Sequence, residues 1–136
     1  MAHCINLYVC NNIEGLEQNL QKNKFRYLKN GDYIVMLGKF SIKKQLHSFG
    51  VPAVVNVTTD YFGGCGEQSS TVYDLNTRKS VYSHSINKGL AMIGILGTKE
   101  MDAFDMVGLG EYRSNSDFVE LSKQQAKESR KQKTTV

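Results

Sequence analysis

Ile5, Leu7 and Val9 alternate with polar or small residues, and this period of two predicts an opening strand. Asn11, followed three positions later by Glu14, resembles a capping box, and Ile13, Leu16 and Leu20 recur at helical spacing to about Lys22. Asn30-Gly31 then marks a hairpin between Lys24–Lys29 and Asp32–Gly38. Pairing across that turn puts Phe25, Tyr27, Ile34 and Met36 on one face and sets Lys29 opposite Asp32. Ser41 is placed to cap a helix carrying Ile42, Leu46 and Phe49, with Gly50 as its stop.

Pro52 leads into Ala53–Phe62, rich in β-branched residues and predicted as a strand. A five-residue turn Gly63–Glu67, a strand Gln68–Leu75, a loop Asn76–Lys79 and a strand Ser80–His84 complete a meander. Ser85 heads a short helix through Ile86, Leu90 and Ile93; Thr98 heads another through Met101, Phe104 and Val107, closed by Gly108. Ser114 with Asp117 opens a last helix whose apolar anchors are Phe118, Val119 and Leu121. The expected class is α+β, a single domain over 1–122 with a mixed or antiparallel sheet of about six strands and short helices packed on it. Residues 123–136 read as a basic, flexible tail.

Composition narrows the function classes. No stretch approaches the roughly 20 apolar residues needed to span a bilayer, and Met1-Ala2-His3-Cys4 lacks the basic stretch of a signal peptide, so a cytoplasmic protein is expected. The net charge of +4 lies in the tail, where Lys123, Lys127, Arg130, Lys131 and Lys133 face one acid, Glu128. Residues 1–122 carry 12 basic and 12 acidic groups, so nucleic acid is expected to meet only the tail, and weakly. Cys4 and Cys10 share one strand face about 20 Å apart, too far for a disulfide. With Cys65 they make an odd set of free thiols without metal-ligand spacing, and neither a metal nor a cofactor is expected.

The densest chemistry surrounds the glycine-rich turn. Gly63, Gly64 and Gly66 permit a tight reversal with exposed backbone N–H groups, and Asp60, Tyr61, Phe62, Cys65, Glu67 and Gln68 crowd polar, reactive and aromatic side chains around it. A five-residue turn sets Phe62 opposite Gln68, Asp60 opposite Ser70 and Thr59 opposite Thr71, and carries His84 opposite Thr71. His84 then lies about 10 Å from the loop at strand rise, too far to activate Cys65. His47 reads as a solvent-facing or core-edge residue, His3 as uninformative, and Asp102 and Asp105 as solvation of a helix face. Gly108-Leu109-Gly110-Glu111-Tyr112-Arg113-Ser114 is a second glycine-rich segment, where Tyr112 and Arg113 are candidates to meet a phosphate or carboxylate.

Two resemblances attach to these residues. Gly64-Cys65-Gly66-Glu67-Gln68 resembles the internal thioester motif of complement and macroglobulin proteins, which would pair the Cys65 thiol with Gln68. Those families house the motif in a large helical domain of secreted proteins, so the five-residue match between predicted strands is read as coincidence. Thr59-Asp60-Tyr61-Phe62-Gly63-Gly64 with Gly66-Glu67-Gln68 resembles a tract in small uncharacterised bacterial and phage proteins. Ile86-Asn87-Lys88-Gly89-Leu90 and Phe104–Ser114 are similar to later pieces of the same proteins. That resemblance implies the fold and no activity, and position 65 looks variable among them.

The expected function is a non-enzymatic binding protein, a bacterial or phage accessory such as a counter-defence factor, recognising a protein or small ligand. Its recognition surface would comprise Asp60, Tyr61, Phe62, Gly63, Gly64, Glu67 and Gln68, with Tyr112 and Arg113. The alternatives are a small enzyme centred on Cys65 and a nucleotide-binding module with phosphates on the Gly63–Gly66 amides.

Overall fold

The first strand, β1 (His3–Asn11), lies inside the sheet because both of its faces are apolar over part of its length: Ile5, Leu7 and Val9 are buried on one side and Cys10 on the other. In the computed structural model the other strands are β2 (Tyr27–Asn30), β3 (Tyr33–Leu37), β4 (Ala53–Phe62), β5 (Cys65–Asp74) and β6 (Ser80–Ser83). They form one sheet in the order β2-β3-β1-β4-β5-β6, with every pairing antiparallel. The structure describes residues 3–62 and 65–134, those from 129 onward by backbone alone. The α+β class with six strands, the 53–62 strand and the closing meander are as expected from the sequence.

Helices α1 (Leu16–Lys22) and α2 (Ile42–Ser48) cover part of one sheet face. Leu16, Leu20, Ile42 and Leu46 pack there with Cys10, Ile34, Met36 and Val54. The opposite face is covered by α3 (Ile86–Met92), α4 (Ala103–Met106), a short 3-10 turn at Leu109–Glu111 and α5 (Asn115–Thr134). Ile86, Leu90, Ala103, Leu109 and Phe118 meet Ile5, Leu7, Val55, Val57 and Val72 in that core. Each fully buried aliphatic side chain contributes roughly 1.5–3 kcal/mol. Gly89 lets α3 lie close on β5: a Cβ there would sit 2.6 Å from the Cβ of Ser70.

Local signals were placed well and used differently. The N-cap of α1 is Gly15 in the left-handed region, not Asn11, whose side chain ends β1 and donates to the Ile93 carbonyl. The first hairpin pairs Lys29 with Ile34 and Tyr27 with Met36, so its turn is Gly31-Asp32. That is a shift of two residues from the Lys29–Asp32 pairing, which keeps Tyr27, Ile34 and Met36 on one face; Lys29 meets Glu17 instead, at 3.6 Å. Ser41 stands at the α2 N-terminus without capping it, whereas the Ser85 hydroxyl accepts from Lys88 N–H. α4 is capped by Asp102, while Thr98 closes a separate turn by accepting from Glu100 and Met101.

The last helix runs on to Thr134, past its apolar anchors. Gln125 explains part of this, since its side chain both accepts from Lys29 N–H (2.8 Å) and donates to Lys29 C=O (2.9 Å). Those two bonds occupy backbone groups on the outer edge of β2, which would otherwise template pairing with another chain. No helix among the described residues is long and apolar enough to cross a membrane.

Candidate functional site

The β4–β5 hairpin is tighter than the glycine count suggested. Phe62 pairs with Cys65, Tyr61 with Gly66, Asp60 with Glu67 and Thr59 with Gln68. The five-residue turn and its pairings are thus replaced, and because the offset is odd, the two sides of β5 exchange. Gly66 is dictated by close approach: a Cβ there would overlap the Asp60 carbonyl and sit 2.6 Å from Tyr61 Cα, at a φ of +157°. Gly63 and Gly64 lie outside the described residues, and so does the phosphate cradle expected on their amides. The hairpin end they join is flanked by two carboxylates, a poor setting for a phosphate.

Alternation divides the hairpin end between the two faces of the sheet. On the helix-covered side, Tyr61 and Gln68 join His3, Thr59, Asn87, Asp102 and Phe104 around a cleft of about 320 Å³. The polar groups there already hold one another. Gln68 donates to the Tyr61 hydroxyl (3.2 Å) and accepts from Ile86 N–H (2.9 Å), tying the start of α3 to β5. Asn87 donates to Asp102 (3.2 Å) and accepts from Phe104 N–H (2.9 Å). The Asp105 N–H and the Asn87 amide hold the Asp102 carboxyl below its usual range.

His3 is fixed at both nitrogens. Nε2 lies 3.1 Å from the Leu109 carbonyl, which can only accept, so Nε2 carries a proton. Nδ1 lies 2.6 Å from the Thr59 hydroxyl, and the ring tilts against Phe104 at 5.9 Å. His3, Asn87, Asp102 and Phe104 were not legible as a group, because they come from three separate segments of the chain. Only the position of Asp102 before an apolar turn, where an N-cap belongs, was a usable signal.

The other side of the hairpin is open. Asp60, Phe62, Cys65 and Glu67 are exposed there, Phe62 by 79%, and Cys4 stands beside Asp60 on the neighbouring strand. The face continues as a polar strip in which Asn56 donates to Asn6 (2.8 Å) and the Thr58 and Ser69 hydroxyls share a bond (2.5 Å). Asp60 and Glu67 face each other directly, and among the described residues neither has an ion-pair partner.

The remaining candidates disperse. Cys65 points to the side of the sheet opposite His3. Thr71 pairs with Tyr82 rather than His84, which lies beyond β6 with its ring edge-on to Tyr82 at 5.1 Å. His47 is exposed on α2. Tyr112 is 3% exposed, packed edge-on against Phe118, with its hydroxyl buried and without a hydrogen-bond partner among the described residues, and its phenol pushed up by burial. It belongs to the core, away from any ligand-facing surface. Arg113 is exposed; its carbonyl accepts from Cys4 N–H (2.7 Å) and its N–H donates to Asp117 (3.3 Å). Cys10 is fully buried and its thiol is pushed up to about 12. Among the described residues, no group of three or more His, Cys, Asp or Glu side chains is placed to hold a metal ion. No family model, curated protein or solved structure matches the chain.

Proposed function

We propose that this is a non-enzymatic binding protein that recognises a basic segment of a partner protein through the open side of the β4–β5 hairpin. The observation that carries this reading is the exposed Phe62 beside two carboxylates, Asp60 and Glu67, set directly opposite each other. Like charges facing across a ladder destabilise it, and a Lys or Arg side chain laid between them would relieve that repulsion. Phe62 supplies the large aromatic surface that anchors interfaces. Beneath it, Tyr61 and Gln68 are bonded into the cleft wall, which ties the facing strand ends in place and leaves them little freedom to lose on binding. The bacterial or phage accessory setting, such as counter-defence, rests on the resemblance of the 59–68 tract.

The test is affinity capture from a lysate of the encoding organism, followed by titration of the purified partner. Phe62→Ala, and separately Asp60→Asn with Glu67→Gln, should each weaken binding about tenfold or more. The carboxylate variant should also lose the salt dependence. Cys65→Ser should bind as tightly as the parent chain. Undiminished affinity in both hairpin variants would contradict the reading.

A further inference from the structure

A second site lies at the opposite end of β5 from the glycine turn. There α2 and the β5–β6 loop enclose a cleft of about 470 Å³ lined by Lys43, Lys44, His47, Tyr73, Asp74, Leu75, Arg78 and Lys79. Besides His47, the lining holds four cations against one carboxylate. Residues 1–122 are charge-balanced, so the fold concentrates here what the sequence spreads over two segments 34 positions apart, from Lys44 to Arg78.

Three observations distinguish this cleft from solvated lysines on a helix face. First, the ion pairs among the described residues are Lys29–Glu17 and Lys123–Glu120, so none of the cleft's four cations is in one. Second, the one carboxylate is turned to its own loop: Asp74 Oδ1 accepts from Asn76 N–H (3.0 Å) and Thr77 N–H (3.1 Å). It closes the turn that presents Arg78 and Lys79, and the hydrogen bonds from Thr77 and Asn76, with a smaller contribution from the Lys79 charge, hold its carboxyl below the usual range. Third, two of the four cations, Lys43 and Arg78, are positioned. Lys43 Nζ stands 4.2 Å from the centroid of the Tyr73 ring, and Arg78 occupies the left-handed region (φ 64°), which non-glycine residues seldom adopt. Backbone strain of this kind collects where a side chain must be aimed.

We infer that this cleft binds a small ligand bearing two or more linked phosphates, either free polyphosphate or the phosphate chain of a nucleotide. Lys43, Lys44 and Lys79 act as point charges and Arg78 as the planar fork that grips phosphate oxygens in pairs. The cleft's volume falls within the range of small-molecule sites, about 300–1,000 Å³. Repulsion among the four cations is relieved on binding, which favours a ligand of several charges over a single phosphate. The site is distinct from the hairpin surface and does not depend on the reading given for it.

Isothermal titration of the intact chain at low ionic strength with tripolyphosphate, with ATP and with a single-stranded oligonucleotide tests the inference. Tripolyphosphate and ATP should bind saturably with one site per chain, and Lys44→Gln with Arg78→Gln should weaken both about tenfold or more. Tighter binding of ATP than tripolyphosphate would assign the phosphates to a nucleotide, and equal or weaker binding of ATP to free polyphosphate. Phe62→Ala should bind both as the parent does. Absence of saturable binding by either small ligand, oligonucleotide binding without them, or equal affinity in parent and double variant would each overturn it.

Discussion

The underside of the β4–β5 hairpin and the basic cleft at the far end of β5 use their polar atoms in opposite ways. Around the hairpin cleft, Gln68, Asn87, Asp102 and His3 each bond to a neighbouring segment: the bonds join β5 to α3, α3 to the start of α4, and β1 to both β4 and the 3-10 turn. Around the basic cleft, the charged groups of Lys43, Lys44, Arg78 and Lys79 make no ion pair among the described residues. Polar groups that satisfy each other build a fold; polar groups held apart, with like signs together, are left for a ligand. Substitutions at the two places should therefore fail differently, one through stability and the other through binding.

The largest stability effect belongs to Gly66. Gly66→Ala drives a methyl group into the Asp60 carbonyl and should cost roughly 3 kcal/mol in urea unfolding. Gln68→Leu comes next, since it strands the Ile86 N–H at the buried start of α3; a loss of about 1–3 kcal/mol is expected. A change near zero for either would show that the hairpin wall is not structural. Tyr112→Phe should be neutral or slightly stabilising, because the hydroxyl it removes is buried without a partner among the described residues. At the basic cleft, Lys44→Gln with Arg78→Gln should leave stability within about 0.5 kcal/mol. A large loss there would mean that those cations support the fold, erasing the contrast.

Acid unfolding sharpens the same contrast from the carboxylate side. Asp102 and Asp74 are both held below their ordinary value of 3.8 by hydrogen bonds from backbone amides. The stability they add is present above that value and is lost as pH falls through the lower folded value. Between about pH 5 and pH 2, Asp102→Asn should show a smaller loss of stability than the parent chain.

Much of this architecture was legible because it rests on local signals. The alternation of Ile5, Leu7 and Val9, the β-branched run from Ala53 and the Ser85 cap each act within a few residues, and each produced its element. Register was not legible in the same way. Asn30-Gly31 marks a turn, yet the turn centres one residue later, and three glycines suggested a long loop where Phe62 already pairs with Cys65. In the β4–β5 hairpin the core face chosen by neighbouring strands decides the pairing, because the two registers differ by an odd offset; in the first hairpin the two registers share a face, so neither the apolar pattern nor the turn residue separates them. The clefts were hidden for a related reason. His3 meets Thr59 and Leu109, and Lys43 meets Tyr73, only through the order in which the strands assemble.

The most direct test of the contrast is one NMR titration: amide ¹H–¹⁵N spectra of the parent chain with increasing tripolyphosphate at low ionic strength. The account predicts saturable shifts confined to residues around 43–47 and 73–79, with those of 59–68 and 86–104 unmoved. Shifts centred on the hairpin, or none that saturate anywhere, would contradict it.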